Sequence, residues 1–518
     1  MNILRLTRAL GCGALLSAQL CASTIYVDEN ASGPIHDGSS WCSAYTTLWE
    51  ALAVASAGDT IKVAGGLYTP KPIFLGDPRE ATFDLVSHVR IEGAYAGCGA
   101  PNPDARDYAN DTSFIRGDPP RDDHTIGDTS NNSYHVLSAI DVNDAELDGL
   151  YIDGGRADNP LVIDGTHGAG ALSRRSTFKA VNCIFQGNEA VDWPIATTGR
   201  GGSVYAGRSK LHFVDCLFRE SIAGETGGGV YSEASALIYD DCTFAACLAL
   251  SGDGGGTYND GASYSELRGA WFLVCFAGGD GGSVHNSGAQ MLMSRSRIQG
   301  SNATNGAGIF SKSGRLDLVN CELASFNDAS GDGGAIYSAG TPTTLMNCLI
   351  AGNSAGGVGG AIASIDAKFT LTNSTVVGNS AGSGAGGAHF GNSGGGKVTN
   401  SILWDNTRGG VIDEAAQLEA TGSAGINLNF SDVAGLTGGL GGVGNIGLNP
   451  LFVAPGSFDF RLGAFSPCRN SASNAALPAD IADLDGDSNV LEVTPLDLDL
   501  VARIQALIVD MGAYEAAP

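Results

Sequence analysis

The stretch GGSVYAGRSKLHFVDCLFRESIAGETGGGVYSEASALIYDDCTFAACLALSGDGGGTY at 201–258 carries one signal three times: a double glycine, a small residue, then usually an apolar one. The signal starts at Gly201 (GGSVY), Gly227 (GGGVY) and Gly254 (GGGTY), and it continues as GGSVH at Gly281, GAGIF at Gly306, GGAIY at Gly333, GGAIA at Gly359 and GGAHF at Gly386. The intervals between first residues are 26, 27, 27, 25, 27, 26 and 27. A period this regular means one supersecondary unit stacked on copies of itself.

A second marker keeps step. A polar residue stands before each short apolar stretch (Asn182, Asp215, Asp241, Asn320, Asn347, Asn373, Asn400) and a small one follows it (Cys183, Cys216, Cys242, Cys321, Cys348, Ser374, Ser401). Gly-Asn closes several units, as in FQGN at 185–188, IAGN at 350–353 and VVGN at 376–379. Between markers lie runs of Val, Ile, Leu, Phe and Tyr, so each unit reads as two or three short strands joined by Gly, Ser and Asn turns. No unit has a helical apolar period, which excludes leucine-rich and ankyrin repeats. A β-propeller blade needs roughly 40 residues or more, which excludes that fold too.

What remains is a coil. Three strands and their turns make one triangular rung, and successive rungs pair in parallel about 4.8 Å apart. Like residues then stack on like. The Cys/Ser column fills a narrow interior, and a turn Asn can bond both its own backbone and the Asn one rung away. The expected fold is all-β, a single right-handed parallel β-helix of about 26–27 residues per rung. Its regular array spans 168–430, after an N-terminal cap and early rungs at 24–167 and before a closing segment at 431–518. Residues 46–57, with Leu48, Ala51, Leu52 and Ala55 on one face, predict a short helix begun by Thr46 or Thr47 that covers the open first rung.

Composition narrows function by exclusion. Glycine at 76 of 518 residues is about double ordinary usage. Charged residues are only 16%, so the surface must be rich in Ser, Thr, Asn and Gly, which suits contact with sugars. Twenty-eight basic residues against 55 acidic give a net charge of −27, which argues against nucleic acid and anionic membranes. Residues 1–23 read as an export signal, with Arg5 and Arg8 before an apolar run at 9–20 and small residues at Cys21, Ala22 and Ser23. Lipidation at Cys21 is the alternative, disfavoured by Gln19 and Leu20 before it. No later segment is apolar enough to span a bilayer. Ten cysteines remain after Cys12 and Cys21. Most fall in the small-residue column and need no chemistry, although neighbours there are near enough to bridge. Cys42 and Cys98 lie outside the column and are the candidate disulfide. No Cys-x-x-Cys or histidine spacing points to zinc.

The chain resembles known families. The GGAIY-type and FxxN motifs resemble the repeats of chlamydial polymorphic outer membrane proteins. The opening (IYVDENASG, the helix, DTIKVAGGLYTP) is similar to that of bacterial pectin-lyase-like β-helix proteins. The ending (NPLF, DFRL, SPC, DLDGD, VDMGAYE) resembles a closing module of bacterial surface β-helix proteins that precedes varied anchors. The resemblance implies a secreted or surface protein of a bacterium, associated with the outer membrane. Polymorphic outer membrane proteins usually end in a membrane β-barrel, for which no residues follow here, and no sorting tail follows VDMGAYE.

Candidate chemistry is sparse. Asp240–Asp241 is the adjacent carboxylate pair of the array, but Asp241 falls in the turn column. His167-Gly168 resembles the His-Gly of polygalacturonase-type hydrolases without their accompanying elements, and the Thr60–Lys62 TIK lies in an opening strand. Asp122, Asp123 and His124 sit in a Pro/Gly-flanked loop and read as solvated. His285 and His389 fall at equivalent apolar positions and read as packing variants. DLDGDSN offers Asp483, Asp485, Asp487 and Asn489 as alternating oxygen ligands for Ca²⁺. Its glycine comes early for an EF-hand loop and Thr494 stands where the twelfth-position glutamate belongs, although the following VTPLDLDLVARI resembles the helix of a dockerin half-repeat. The expected function is adhesion or binding of a polysaccharide or cell-surface glycan without catalysis. The alternatives are a polysaccharide lyase or glycoside hydrolase on the same scaffold, and a passive structural shell.

Overall fold

The computed structural model describes residues 22–119, 129–161, 164–192 and 198–517. All but residues 22 and 23 of the export-signal reading at 1–23, and the Asp122, Asp123 and His124 loop, lie outside them. The chain winds as a right-handed parallel β-helix of about 13 turns. Among the described residues its strands form four long sheets of 14, 12, 13 and 9 strands, each ordered by successive rungs. One rung shows the plan: Val204–Gly207 in the second sheet, Lys210–Val214 in the first, Leu217–Arg219 in the third and Ile222–Ala223 in the fourth.

The fourth strand corrects the expected triangle. It is two residues long, too short to show alternation in sequence, and its inward alanines (Ala190, Ala249, Ala277, Ala329) fill a corner that admits nothing larger. The other corners turn on one residue in the left-handed region, such as Arg208, Asp215 and Glu220 at φ 54, 50 and 52°. Side chains other than Gly, Asn and Asp are disfavoured there, which explains the recurrent Asn/Asp column. The double glycine makes the fourth corner. Gly227 sits at φ 67°, and a Cβ on Gly228 would come within 2.4 Å of the Gly255 carbonyl oxygen on the next rung.

Strand register corrects the last repeat. Ile362 pairs with Ala388 and Ala363 with His389. The counterpart of the first glycine is therefore Ala385, one place before Gly386, and Phe390 points inward where it is fully buried.

The interior is stacked. Phe185, Phe218, Phe244 and Phe272 lie face to face at centroid spacings of 5.2, 4.7 and 4.6 Å. The thiols of Cys183, Cys216, Cys242, Cys247, Cys275, Cys321 and Cys348 are buried and unbridged. Burial pushes Cys183 and Cys321 far up, so these thiols are inert packing groups.

The asparagine ladder runs elsewhere than expected. Its main line is not the turn column but the Gly-Asn column, Asn327, Asn353, Asn379 and Asn406. Each of these amides donates to the next at 2.9 Å, and Gln417 accepts the last step at 2.8 Å. The turn asparagines keep one such contact, Asn347 Nδ2 to Asn320 Oδ1 at 2.9 Å, and three of them, Asn320, Asn347 and Asn400, bond the C-terminal segment instead.

At the first rung Leu48–Val54 forms the capping helix. Thr47 precedes it, its hydroxyl donating to Glu50 at 2.6 Å, and Leu48, Ala51 and Leu52 close the core. Cys42 and Cys98 are joined by a disulfide with Cα atoms 4.9 Å apart. At the other end Leu436 and Leu440 pack against the last rungs. From there the chain runs back along the coil instead of capping it. Phe452, Phe460 and Tyr514 cover Ala324, Leu349 and Val377 on the third sheet, while Leu484, Ile481 and Leu496 cover Val319 and Met346 on the first. Asn347 Nδ2 donates to the Leu496 carbonyl at 2.8 Å, Asn320 Nδ2 donates to that of Asp497, and Asn400 exchanges two bonds with the Ser473 backbone. The expected dockerin-like helix at 493–504 does not form. That stretch is turns and isolated bridges. No helix among the described residues is long and apolar enough to cross a membrane.

This strap is pH-sensitive by construction. Asp432, fully buried beside the Cys468 thiol at 3.1 Å, is pushed by burial up to about 7. The folded state thus holds a proton that the unfolded chain releases near pH 4, so stability is complete below that pH and is lost as pH rises toward 7. Denaturant midpoints of wild type and Asp432→Asn should converge as the pH falls below 4. At pH 8 the variant should be more stable, by about 2–4 kcal/mol. A difference independent of pH would refute this assignment.

Candidate functional site

One rung exposes large aromatic side chains on its outer face. In YSELRGAWFLVCF at 264–276 the outward positions carry Tyr264, Trp271, Val274 and Phe276, with Trp271 41% and Phe276 44% exposed. The neighbours of Trp271 in register are Thr243 on one side and Arg297 on the other. Those of Phe276 are Leu248 and Asn302. Large exposed aromatics in register with polar residues form a contact surface.

Guanidinium groups gather beside this rung. Arg268 closes the strand before the Gly269 corner, and Arg295 and Arg297 follow on the next rung. Where the strap begins to cover the third sheet, a cleft of about 320 Å³ opens between Arg295, Arg297 and Glu322 on the coil and Phe458, Arg461 and Tyr514 on the strap. Arg297 reaches Glu322 only at 3.5 Å, and Arg295 has no carboxylate partner among the described residues. Arg461 is held by Asp499 at 3.1 Å. The cleft thus sets three arginines against Glu322 and Asp499, and of these Arg295 alone lacks a carboxylate partner among the described residues.

The carboxylates on the adjoining first-sheet face are already neutralised. Asp240 accepts from Arg268 at 2.5 and 3.0 Å and lies 2.7 Å from His212 Nε2. Burial alone would raise Asp240, but Arg268 and His212 together hold it below the usual carboxylate range. Glu266 receives the Tyr264 hydroxyl at 3.0 Å and Arg268 at 3.4 Å. Held by these partners, the two carboxylates are fixed hydrogen-bond acceptors.

The residues singled out in sequence fall as follows. Asp241 is a left-handed corner at φ 52°. His167 stacks on Tyr205 at 5.0 Å, and Lys62 pairs with Asp104 at 2.8 Å. His285 and His389 occupy one outward column of the second sheet. His285 lies between Tyr258 and Phe310 at 4.6 and 4.7 Å, and burial pushes it down to about 4. Asp483, Asp485 and Asp487 bring carboxylate oxygens within 4.8 Å of one another, while Asn489 Oδ1 accepts the Leu491 N–H at 3.4 Å. Trp271, Phe276 and the arginines were not anticipated. Their signal was available in the array, as the rung whose short strands WFL and FA each open on an aromatic.

A second acidic row lies at the double-glycine corner. Asp253 Oδ1 accepts the Asp280 N–H at 2.7 Å, and Asp280 Oδ1 accepts that of Asn305 at 3.0 Å. Burial raises both aspartates, and His285 Nδ1 stands 3.4 Å from Asp253.

No family model matches the chain, and no curated protein matches it significantly. Among solved structures, pectate lyase Pel9A aligns at 12% identity over 95% of this chain and 96% of its own, with a TM-score of 0.34. XylC, in its complex with xylose, aligns at 10% identity over 95% and 99%, with a TM-score of 0.35. Similarity at this level carries no inference about activity, and the right-handed parallel β-helix rests on the chain's own strand pairing.

Proposed function

We propose that this chain is an exported, non-catalytic β-helix that binds polysaccharide bearing acidic groups across the corner of Trp271, Phe276, Arg295 and Arg297. The observation that carries the reading is the exposed aromatic rung set against arginines in an otherwise acidic chain. Flat rings stack on sugar faces, and guanidinium groups bind carboxylates or sulfates in a fork. Fixed acceptors at Asp240 and Glu266 take hydrogen bonds from sugar hydroxyls. Placement outside the reducing cytosol is supported by the Cys42–Cys98 disulfide.

The test is retention of purified full chain on immobilised acidic and neutral polysaccharides, with Trp271→Ala and Arg297→Ser alongside. Wild type should bind an acidic polymer, and each variant should weaken binding by roughly five- to thirtyfold. Equal binding by wild type and both variants, or none by any of them, would sink the reading.

The enzymatic alternative has one observation in its favour. Asp253 and Asp280 sit one rung apart at an outer corner, and burial raises both, which suits a general acid. Release of reducing sugar by wild type and its loss in Asp253→Asn would replace the binding reading with this one.

A further inference from the structure

The loop 479–493 of the strap gathers more acid than its sequence spacing suggested. A bridge between Ala479 and Val493 closes its neck, with Asp480 N–H on the Glu492 carbonyl at 2.9 Å. This neck sets the Asp480 and Glu492 side chains together, and both come within 4.8 Å of Asp485. Asp485 is also within 4.8 Å of Asp483 and Asp487, so it joins the two groups. Glu492, and not the residue at 494, is the acid that the loop geometry delivers.

How the oxygens are used is informative. One oxygen of each aspartate holds the loop: Asp480 Oδ2 takes the Leu484 N–H at 2.7 Å, Asp483 Oδ1 takes Ser488 at 2.9 Å and Asp487 Oδ1 takes Asn489 at 2.7 Å. Asp485 Oδ1 takes the Asp487 N–H at 3.3 Å. The other oxygen of Asp480 is different. Asp480 is fully buried, and its Oδ1 has no hydrogen-bond partner; Glu492 Oε1 is also sealed from solvent and unpartnered. Among the described residues none of the five acids forms an ion pair with Lys, Arg or His. A buried carboxylate oxygen left without a donor beside four like charges is costly, and a cation removes that cost.

We propose that Asp480, Asp485 and Glu492 form a Ca²⁺ site, flanked through Asp485 by Asp483 and Asp487, that fixes loop 479–493 and thereby seats the strap on the coil. All donors are oxygens, with no thiol or imidazole, and they come from an irregular loop with left-handed residues at Asp483, Gly486 and Ser488. Ca²⁺ accepts six to eight such ligands in adaptable geometry, whereas Mg²⁺ demands a near-ideal octahedron. The same loop carries Ile481 and Leu484, which pack on Val319 and Met346, so ordering it secures the strap over the first sheet.

The experiment uses full-length chain stripped with a chelator. Calorimetric titration with CaCl₂ and MgCl₂ is paired with limited proteolysis read by mass spectrometry. Wild type should take up one Ca²⁺ per chain, at least about tenfold more tightly than Mg²⁺, and Ca²⁺ should slow cleavage within 479–493 by fivefold or more. Asp485→Asn, at an exposed position the fold tolerates, should weaken Ca²⁺ by about tenfold or more and abolish the protection. Asp480→Asn should do the same while removing the orphaned buried charge. Absence of Ca²⁺ uptake by wild type, equal uptake by Mg²⁺, or undiminished protection in Asp485→Asn would overturn the site.

Discussion

Asn379→Leu should lower the stability of the coil by about 4 kcal/mol or more, the largest effect of any single substitution in the array. The amide nitrogen of Asn379 donates to Asn406 Oδ1 at 2.9 Å and to the Ile350 carbonyl at 3.0 Å. Its oxygen accepts both the backbone N–H and the side-chain amide of Asn353 at 2.9 Å. Leucine matches the volume and satisfies none of them. It leaves a backbone donor, an amide and a carbonyl stranded in the interior, each at about 1–3 kcal/mol. Urea unfolding should show the loss, and hydrogen exchange should place it at rungs 350–406. Asn302→Leu, at an exposed position, should change stability by no more than about 0.5 kcal/mol. A small effect at Asn379 would mean that water, and not the neighbouring amides, satisfies this column.

Phe244→Ala should cost about 3–5 kcal/mol. Phe244 is fully buried between Phe218 and Phe272 at 4.7 and 4.6 Å, with Tyr239 edge-on at 5.4 Å. Parallel strands fix the rungs above and below, so the neighbouring rings cannot move in to fill the void. The damage should stay local, because each rung touches only its neighbours. Amides of 230–275 should lose exchange protection while those of 350–400 keep theirs. By contrast Phe276→Ala, one rung later and facing outward, should be nearly neutral for stability. Equal costs at the two positions would contradict the assignment of inward and outward faces.

The fold was legible because its signal is repeated. Each double glycine and each Asn/Asp corner answers a steric demand that recurs every rung, so chance cannot imitate it. The interior ladder was legible only in part. FQGN, IAGN and VVGN displayed the column, but nothing local to the sequence says whether an asparagine after glycine points in or out, and the turn column looked equally able. The fourth strand was hidden because two residues cannot show a period. The strap was hidden for a different reason: its leucines and phenylalanines find partners more than a hundred residues away, such as Leu484 on Val319, and no local pattern encodes that distance.

The candidate face lay between these cases. Trp271 and Phe276 stand where an outward residue should be, yet whether an outward aromatic is covered depends on the strap, which stops short of this rung. The carboxylates of the metal loop show the same limit. Asp483, Asp485 and Asp487 are adjacent in sequence and could be read as ligands, whereas Asp480 and Glu492 join them only through the bridge at the loop neck.

The proposal that sugar is held at the 264–297 corner is tested most directly by a photoreactive acidic oligosaccharide cross-linked to the native chain and mapped by mass spectrometry. Adducts should fall on peptides containing Trp271, Phe276 and Arg297, and excess unlabelled polymer should abolish them. Labelling confined to another face, or no competable labelling at all, would contradict it.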